Sequence, residues 1–142
     1  MISIIAGKYR GRKLFDVKNL HVRPTQAKVR KSIFQILEPF HDLEVLDLYA
    51  GMGTLGIEAL SRGASKVVFV EKNRKVFKVL KKNISLFDSE KSYVVLDDVN
   101  SYLKRVKNHV FDIVLADPPY SEVSFESIQK SMKHFLKPGG IL

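Results

Sequence analysis

Three stretches of the chain carry side chains whose types and spacing suit chemistry. Asp47-Leu48-Tyr49-Ala50-Gly51-Met52-Gly53-Thr54-Leu55-Gly56 sets Gly51, Gly53 and Gly56 in a G-x-G-x-x-G spacing, and Glu71 stands 20 residues after Gly51. Glycines there let the backbone approach a ligand closely, and a carboxylate at that separation can take both hydroxyls of a ribose. The pattern predicts a nucleoside-type ligand; the plainer alternative is that the glycines only pack a helix against a strand. Asp98 adds an acceptor suited equally to an adenine amino group or to capping a helix. In Asp117-Pro118-Pro119-Tyr120 two successive prolines cannot continue a central strand, so a rigid loop is expected. That loop would aim the Asp117 carboxylate and the Pro118 carbonyl at one point, with the Tyr120 ring as a stacking face. Two acceptors and one ring suit a planar base bearing an exocyclic amine.

Charge chooses among nucleoside ligands. A dinucleotide sets an anionic pyrophosphate against the glycine turn, where Asp47 repels it. S-adenosylmethionine carries an ammonium and a sulfonium, both of which Asp47 attracts. The four histidines (His21, His41, His109, His134) have no ligand spacing and there is no cysteine, so neither a metal site nor a disulfide is expected.

The net charge is +9, and residues 1–40 hold +7 of it: nine Lys or Arg against Asp16 and Glu38. Cations so clustered suit a polyanion, nucleic acid or membrane surface, because they release counterions from phosphates; a solvated basic face is the bland reading. No apolar run approaches a membrane span and the N-terminus lacks a signal-peptide pattern, which excludes transmembrane and secreted classes and predicts a cytoplasmic protein. Hydrophobic residues at 45% and charged ones at 27% are globular proportions.

The elements that must position these groups follow from periodicity. Ser3–Ala6 reads as a strand, and Gly7-Lys8-Tyr9-Arg10-Gly11-Arg12-Lys13-Leu14 as a hairpin or bent strand. A helix follows Arg23-Pro24-Thr25, with Val29, Ile33, Ile36 and Leu37 as its apolar stripe and Pro39 as its stop. From Glu44 on, buried strands (Val45–Ala50, Val67–Val70, Tyr93–Leu96, Phe111–Ala116) alternate with helices over Thr54–Arg62, Asn73–Phe87 and Phe125–Leu136. That alternation predicts a doubly wound, mostly parallel α/β sheet, with a basic extension over 1–40 and the main domain over 41–142. Lys137-Pro138-Gly139-Gly140 reads as a turn launching a further strand, and the C-terminal strands are expected to be missing.

On these motifs the chain resembles the RsmD-type methyltransferases, which methylate the N2 amine of a guanine in bacterial small-subunit ribosomal RNA. The likeness rests on the Gly7–Leu14 run, Arg23-Pro24-Thr25, Asp47 to Arg62 with Leu60-Ser61-Arg62-Gly63, Phe69-Val70-Glu71 and Asp117 to Tyr120. It implies a Rossmann-like class I fold using S-adenosylmethionine, with S-adenosylhomocysteine as product. By the same likeness Asp47, Gly51 and Gly53 hold the methionine part of the donor, Glu71 its ribose and Asp98 its adenine edge. Asp117, Pro118 and Tyr120 act on the target base; Lys8, Arg10, Arg12, Lys13, Arg23, Lys28 and Arg30 grip phosphates of ribosomal RNA or of the assembled small subunit. Gln26, Ala27 and Lys31 depart from the family pattern. Other readings stand beside this one: an amino-methyltransferase on DNA adenine or protein, a nicotinamide-dependent oxidoreductase, and a non-catalytic RNA-binding module.

Overall fold

Short runs of Val, Leu, Ile and Phe form the buried central strands of the molecule, whereas the run Tyr93–Leu96, expected to be buried, lies on the sheet edge with Tyr93 and Leu96 exposed. The computed structural model describes residues 2–16, 27–87, 89–106, 109–116 and 136–141. Its elements are β1 (Ile2–Ser3), β2 (Lys13–Leu14), α1 (Ala27–Leu37), β3 (Glu44–Leu48), α2 (Thr54–Ser61), β4 (Lys66–Glu71), α3 (Arg74–Ile84), β5 (Ser92–Leu96), α4 (Val99–Arg105), β6 (Phe111–Ala116) and β7 (Leu136–Ile141). A single 3-10 turn, Ser89–Lys91, precedes β5.

Five strands form one sheet in the order β5-β4-β3-β6-β7, and every neighbouring pair is parallel. Side chains alternate between its faces. Val45, Val67, Phe69, Ile113 and Leu115 pack with Ile57 and Leu60 of α2 and with Leu80 and Ile84 of α3. Leu46, Leu48, Val68, Val70 and Val114 pack with Val99 and Tyr102 of α4. The sheet is therefore doubly wound, as expected. Ile4, Tyr9, Leu14, Phe34 and Phe40 join the first of these cores, so described residues before and after position 40 share it.

The N-terminal segment departs from expectation in an informative way. β1 pairs antiparallel with β2, closing the expected hairpin, but it stops at Ser3 rather than running to Ala6. The Ile5 and Ala6 N–H groups go instead to the carboxylate oxygens of Glu58 on α2, at 2.8 and 3.1 Å. Ser61 continues the same anchoring: its carbonyl accepts from Lys8 N at 2.7 Å, and its hydroxyl accepts from Tyr9 N at 2.9 Å. Farther along, Asn83 of α3 accepts from Phe15 N at 2.6 Å and donates to Phe15 O at 3.0 Å.

Three further expectations need correction. α1 buries only part of the stripe Val29, Ile33, Ile36 and Leu37: Ile33 and Leu37 are half-buried, Leu37 against the core, but Val29 is 47% and Ile36 81% exposed, while Arg30 and Phe34 are buried. The spacing Arg30–Phe34–Leu37 is itself helical, and Phe34 is drawn inward by Phe40, whose ring centroid lies 5.1 Å away. Leu136 belongs to β7 rather than to the end of a helix, and Lys137-Pro138-Gly139-Gly140 lies within that strand. Its pairing with β6 shifts register between Phe111 and Ile113, an irregularity that an edge strand containing a proline tolerates. α4 was not anticipated, because seven residues with two buried side chains give too little periodicity.

Candidate functional site

The carboxyl ends of β3, β4, β5 and β6 lie along one edge of the sheet, where the register pairs Leu48 with Val70 and Ala116, and Glu71 with Leu96. Ligands of open parallel sheets bind outside this edge. The run after β3 is a tight left-handed turn: φ is 56° at Tyr49, 60° at Gly51 and 95° at Gly53. Gly53 then caps α2. A Cβ at Gly53 would lie 2.7 Å from Leu80 Cδ1 as well as being strained. A left-handed tyrosine costs about 1–2 kcal/mol, which the surrounding hydrogen bonds must hold in place. Tyr49 was not singled out from sequence, because side-chain type alone does not report its backbone conformation.

Two carboxylates secure this turn. Asp47, only 1% exposed on β3, accepts from the Gly56 N–H at 3.0 Å. Glu71 at the tip of β4 accepts from Gly51 N at 3.0 Å through Oε1 and from Asn73 N at 2.8 Å through Oε2. Each Glu71 oxygen keeps a further lone pair, so the half-buried carboxylate can still accept two hydroxyls. Gly56 serves helix-to-strand packing: a Cβ there would lie 2.2 Å from Phe69 Cε1 and 2.9 Å from Asp47 Oδ2. Asp98 is the N-cap of α4, its Oδ2 accepting from Ser101 N at 3.3 Å. Its backbone N–H is held by Asp97 Oδ1, and Asp97 N bonds the Glu71 carbonyl, which ties this corner to the tip of β4.

β6 ends at Ala116 on the same edge. Asp117, Pro118, Pro119 and Tyr120, the next residues in the chain, lie outside the described residues, as does Arg23. Of the other expected phosphate contacts, Lys8, Arg10, Arg12, Lys13 and Lys28 are exposed. Arg12 is fixed by stacking over Tyr9 and Phe87, at 5.2 and 5.9 Å from the ring centroids, and its Nη1 reaches the Leu86 carbonyl at 3.4 Å.

Arg30 corrects the expectation. It is 2% exposed and donates through Nη2 to the Ser3 carbonyl at 2.8 Å, so it braces the hairpin from inside rather than reaching for a phosphate. Burial lowers its pKa; Glu58 opposes that shift and Arg62 reinforces it. Glu58, Ser61 and Asn83 are the polar residues that sequence reading missed. Each sits buried on a helix, joined to partners more than 50 residues away, and no local spacing signals such a pairing. Among the described residues no group of three or more metal-ligating side chains occurs, and no helix is long and apolar enough to cross a membrane.

A parallel sheet in this strand order, with a glycine turn after its central strand and an acid at the neighbouring tip, is the class I methyltransferase fold. The chain belongs to the RsmD family, described as Conserved hypothetical protein 95, whose model matches residues 2–142. It is 42% identical over 123 residues to Ribosomal RNA small subunit methyltransferase D of Haemophilus influenzae, an overlap of 84% of this chain and 64% of that protein. With the Escherichia coli protein of the same name it shares 39% identity over 120 residues, 84% of this chain and 60% of the relative. The solved structure of Escherichia coli yhhF matches at a TM-score of 0.84 and 36% identity, covering 95% of this chain and 74% of that one. The chain thus spans less than two thirds of the length of these two curated relatives.

Proposed function

We propose that this chain carries the donor site and basic arm of an enzyme that transfers a methyl group from S-adenosylmethionine to the N2 amine of a guanine in bacterial small-subunit ribosomal RNA. The observation that carries the reading is the Glu71–Gly51 hydrogen bond, which brings the acid of β4 against the glycine turn of β3. The donor set fits the cofactor: Glu71 retains acceptor capacity for the two ribose hydroxyls, and the negative charge of Asp47 beneath the turn favours a cationic ligand over a pyrophosphate. Gly51 and Gly53 leave room for the methionine part, and Asp98 stands at the β5 corner for the adenine edge. When bound, the cofactor supplies an electrophilic methyl group on a sulfonium and leaves as the neutral thioether S-adenosylhomocysteine.

The chain's own residues then act on the amine. A guanine N2 lone pair is delocalised into the ring and is a poor nucleophile. Asp117 and the Pro118 carbonyl accept hydrogen bonds from its two N–H groups, which draws the nitrogen toward tetrahedral geometry and localises the pair. The proton released on forming the new N–C bond passes to Asp117 or to water. Tyr120 stacks on the base and replaces neighbours lost when it leaves its helix. Residues 1–40 serve RNA contact and residues 41–142 the transfer, and the reaction belongs to the cytoplasm, where ribosomal RNA is processed.

Calorimetry with S-adenosylhomocysteine and with NADH tests the donor site: binding of the first alone is expected, and binding of NADH alone would overturn the reading. Radiolabelled transfer to undermodified ribosomal RNA followed by nucleoside mass spectrometry tests the target, with N2-methylguanosine as the expected product and Asp117→Ala abolishing its formation.

A further inference from the structure

We propose that the outward face of α3 is a second phosphate-binding track, which carries the RNA backbone from the basic arm to the rim of the donor turn; this rests on the RNA methyltransferase reading. Arg74, Lys75, Lys78, Lys81 and Lys82 are all exposed, and the helix contains no acid. At 100° per residue these five cations occupy a sector about 120° wide, opposite the buried Val76, Leu80, Asn83 and Ile84.

The placement is costly for the helix itself. Arg74 and Lys75 stand in its first turn, at the positive end of the helix dipole. Arg74 with Lys78 and Lys78 with Lys82 are like-charge pairs four apart; Lys75 with Lys78 and Lys78 with Lys81 are such pairs three apart. A face that merely solvates the protein carries both signs interspersed. Lys81 and Lys82 in the last turn suit the dipole, but the single sign of the whole face and the placement of Arg74 and Lys75 at its positive end are relieved by a polyanion.

Position identifies which polyanion. At its far end α3 is fastened to the arm: Asn83 bonds both backbone groups of Phe15, Lys82 Nζ lies 3.9 Å from the Phe15 ring centroid, and Ile2 and Val79 pack in one cluster. Lys8, Arg10, Arg12 and Lys13 are therefore neighbours of this face rather than a separate patch. At its near end, the Asn73 cap donates to Glu71, the acid of the donor turn. The helix spans about 16 Å between those ends. A phosphodiester strand held by the arm would meet successive cations on its way to the site, which is the chemistry of an RNA backbone rather than of a single anion.

The test uses the full chain, unmodified small-subunit ribosomal RNA made by transcription, and filter binding from 50 to 200 mM salt. Lys75→Gln/Lys78→Gln/Lys82→Gln is expected to flatten the slope of log affinity against log salt by about 2–3, in line with three lost phosphate contacts. Its affinity for S-adenosylhomocysteine and its circular dichroism should match wild type. Lys104→Gln, on α4 at the opposite face of the sheet, should leave the RNA slope unchanged. A triple variant with wild-type RNA affinity and slope would overturn the α3 track while leaving the methyltransferase reading intact. Failure of the wild-type chain to bind RNA would overturn the reading itself and the track with it. Loss of binding to phosphatidylglycerol vesicles with RNA affinity unaltered would assign the face to a membrane and overturn the proposal.

Discussion

Asn83 and Met52 are joined by a hydrogen bond of 2.9 Å, from the buried side-chain amide of α3 to a carbonyl in the middle of the glycine turn. The same amide holds Phe15 at the end of the N-terminal hairpin. One side chain thus fastens the donor turn and the basic arm to a common helix.

Replacing Asn83 by Ala leaves three backbone groups without that partner, and an unsatisfied buried polar group costs about 1–3 kcal/mol. Since water can reach the Phe15 side, the expected loss is about 2–4 kcal/mol in total. Urea denaturation measures it, and a change below experimental error would show that the amide holds nothing. Asn83→Asp should cost at least as much, since it sets a carboxylate against two carbonyls.

Gly56→Ala sets two effects against each other. Alanine is the better helix former by about 1 kcal/mol. Its methyl, however, would lie 2.2 Å from a Phe69 ring carbon and 2.9 Å from Asp47 Oδ2. Overpacking costs about 1–3 kcal/mol and displaces the carboxylate beneath the turn, so the clash wins. The variant should be less stable and bind S-adenosylhomocysteine more weakly. Gly11→Ala is the contrast: nothing stands within 4 Å of its added carbon, and only the strain of φ 82° remains, so donor affinity should be unchanged.

Glu58 is fully buried, holding two arm N–H groups and Arg62 Nε at 2.9 Å, while Arg62 also pairs with Glu38. Truncating one partner of a buried ion pair costs about 3–5 kcal/mol. Glu58→Ala should lose that much in chemical denaturation, and proteolysis should reach residues 2–16 first. Denaturation that leaves the arm as protected as in wild type would contradict this anchoring.

Glu71→Ala removes the acceptor of Gly51 N and, on the proposed reading, the acceptors for the ribose. A hydrogen bond to a charged group is worth about 1.5–3 kcal/mol, so affinity for S-adenosylhomocysteine should fall about 10- to 100-fold by calorimetry. Undiminished binding would place the donor elsewhere.

Tyr102 sets an alkaline limit on stability. Burial raises its pKa above the ordinary 10.0, with Arg105 pulling the other way. A proton held more tightly in the folded chain contributes stability that is complete below the unfolded value and lost as pH rises through the folded one. Wild type should therefore weaken above about pH 10, and Tyr102→Phe should weaken less steeply over that range. Parallel alkaline losses in urea midpoints would refute the assignment.

The parallel sheet and glycine turn were legible because their signals are local: β3, β4, β5 and β6 are short runs dominated by Val, Ile, Leu and aromatic residues, and Gly51, Gly53 and Glu71 lie at diagnostic separations. What escaped was set by partners distant in sequence. Arg30 reads as one more phosphate contact until the Ser3 carbonyl is found to accept from its guanidinium, and Phe34 faces the core in place of Ile36, packed beside Phe40. Asp98 reads from spacing as a cap or as a ligand acceptor; its Oδ2 caps α4, and the two roles do not exclude each other. β7 was hidden by Pro138 and two glycines, residues that argue for a turn unless a sheet edge is there to receive them.

The arm packs Ile4, Tyr9 and Leu14 into the core, and its hydrogen-bonded fastenings run through the main chain: Ile5, Ala6, Lys8, Tyr9 and Phe15 are gripped by their amides. Fastenings of that kind are blind to side-chain identity. The outward-pointing residues of the hairpin can accordingly be rewritten, by mutation or by grafting from a relative, while the path of the chain stays where Glu58, Ser61 and Asn83 clasp it. The surface chemistry of the arm and its structural integrity are thereby separable on this scaffold.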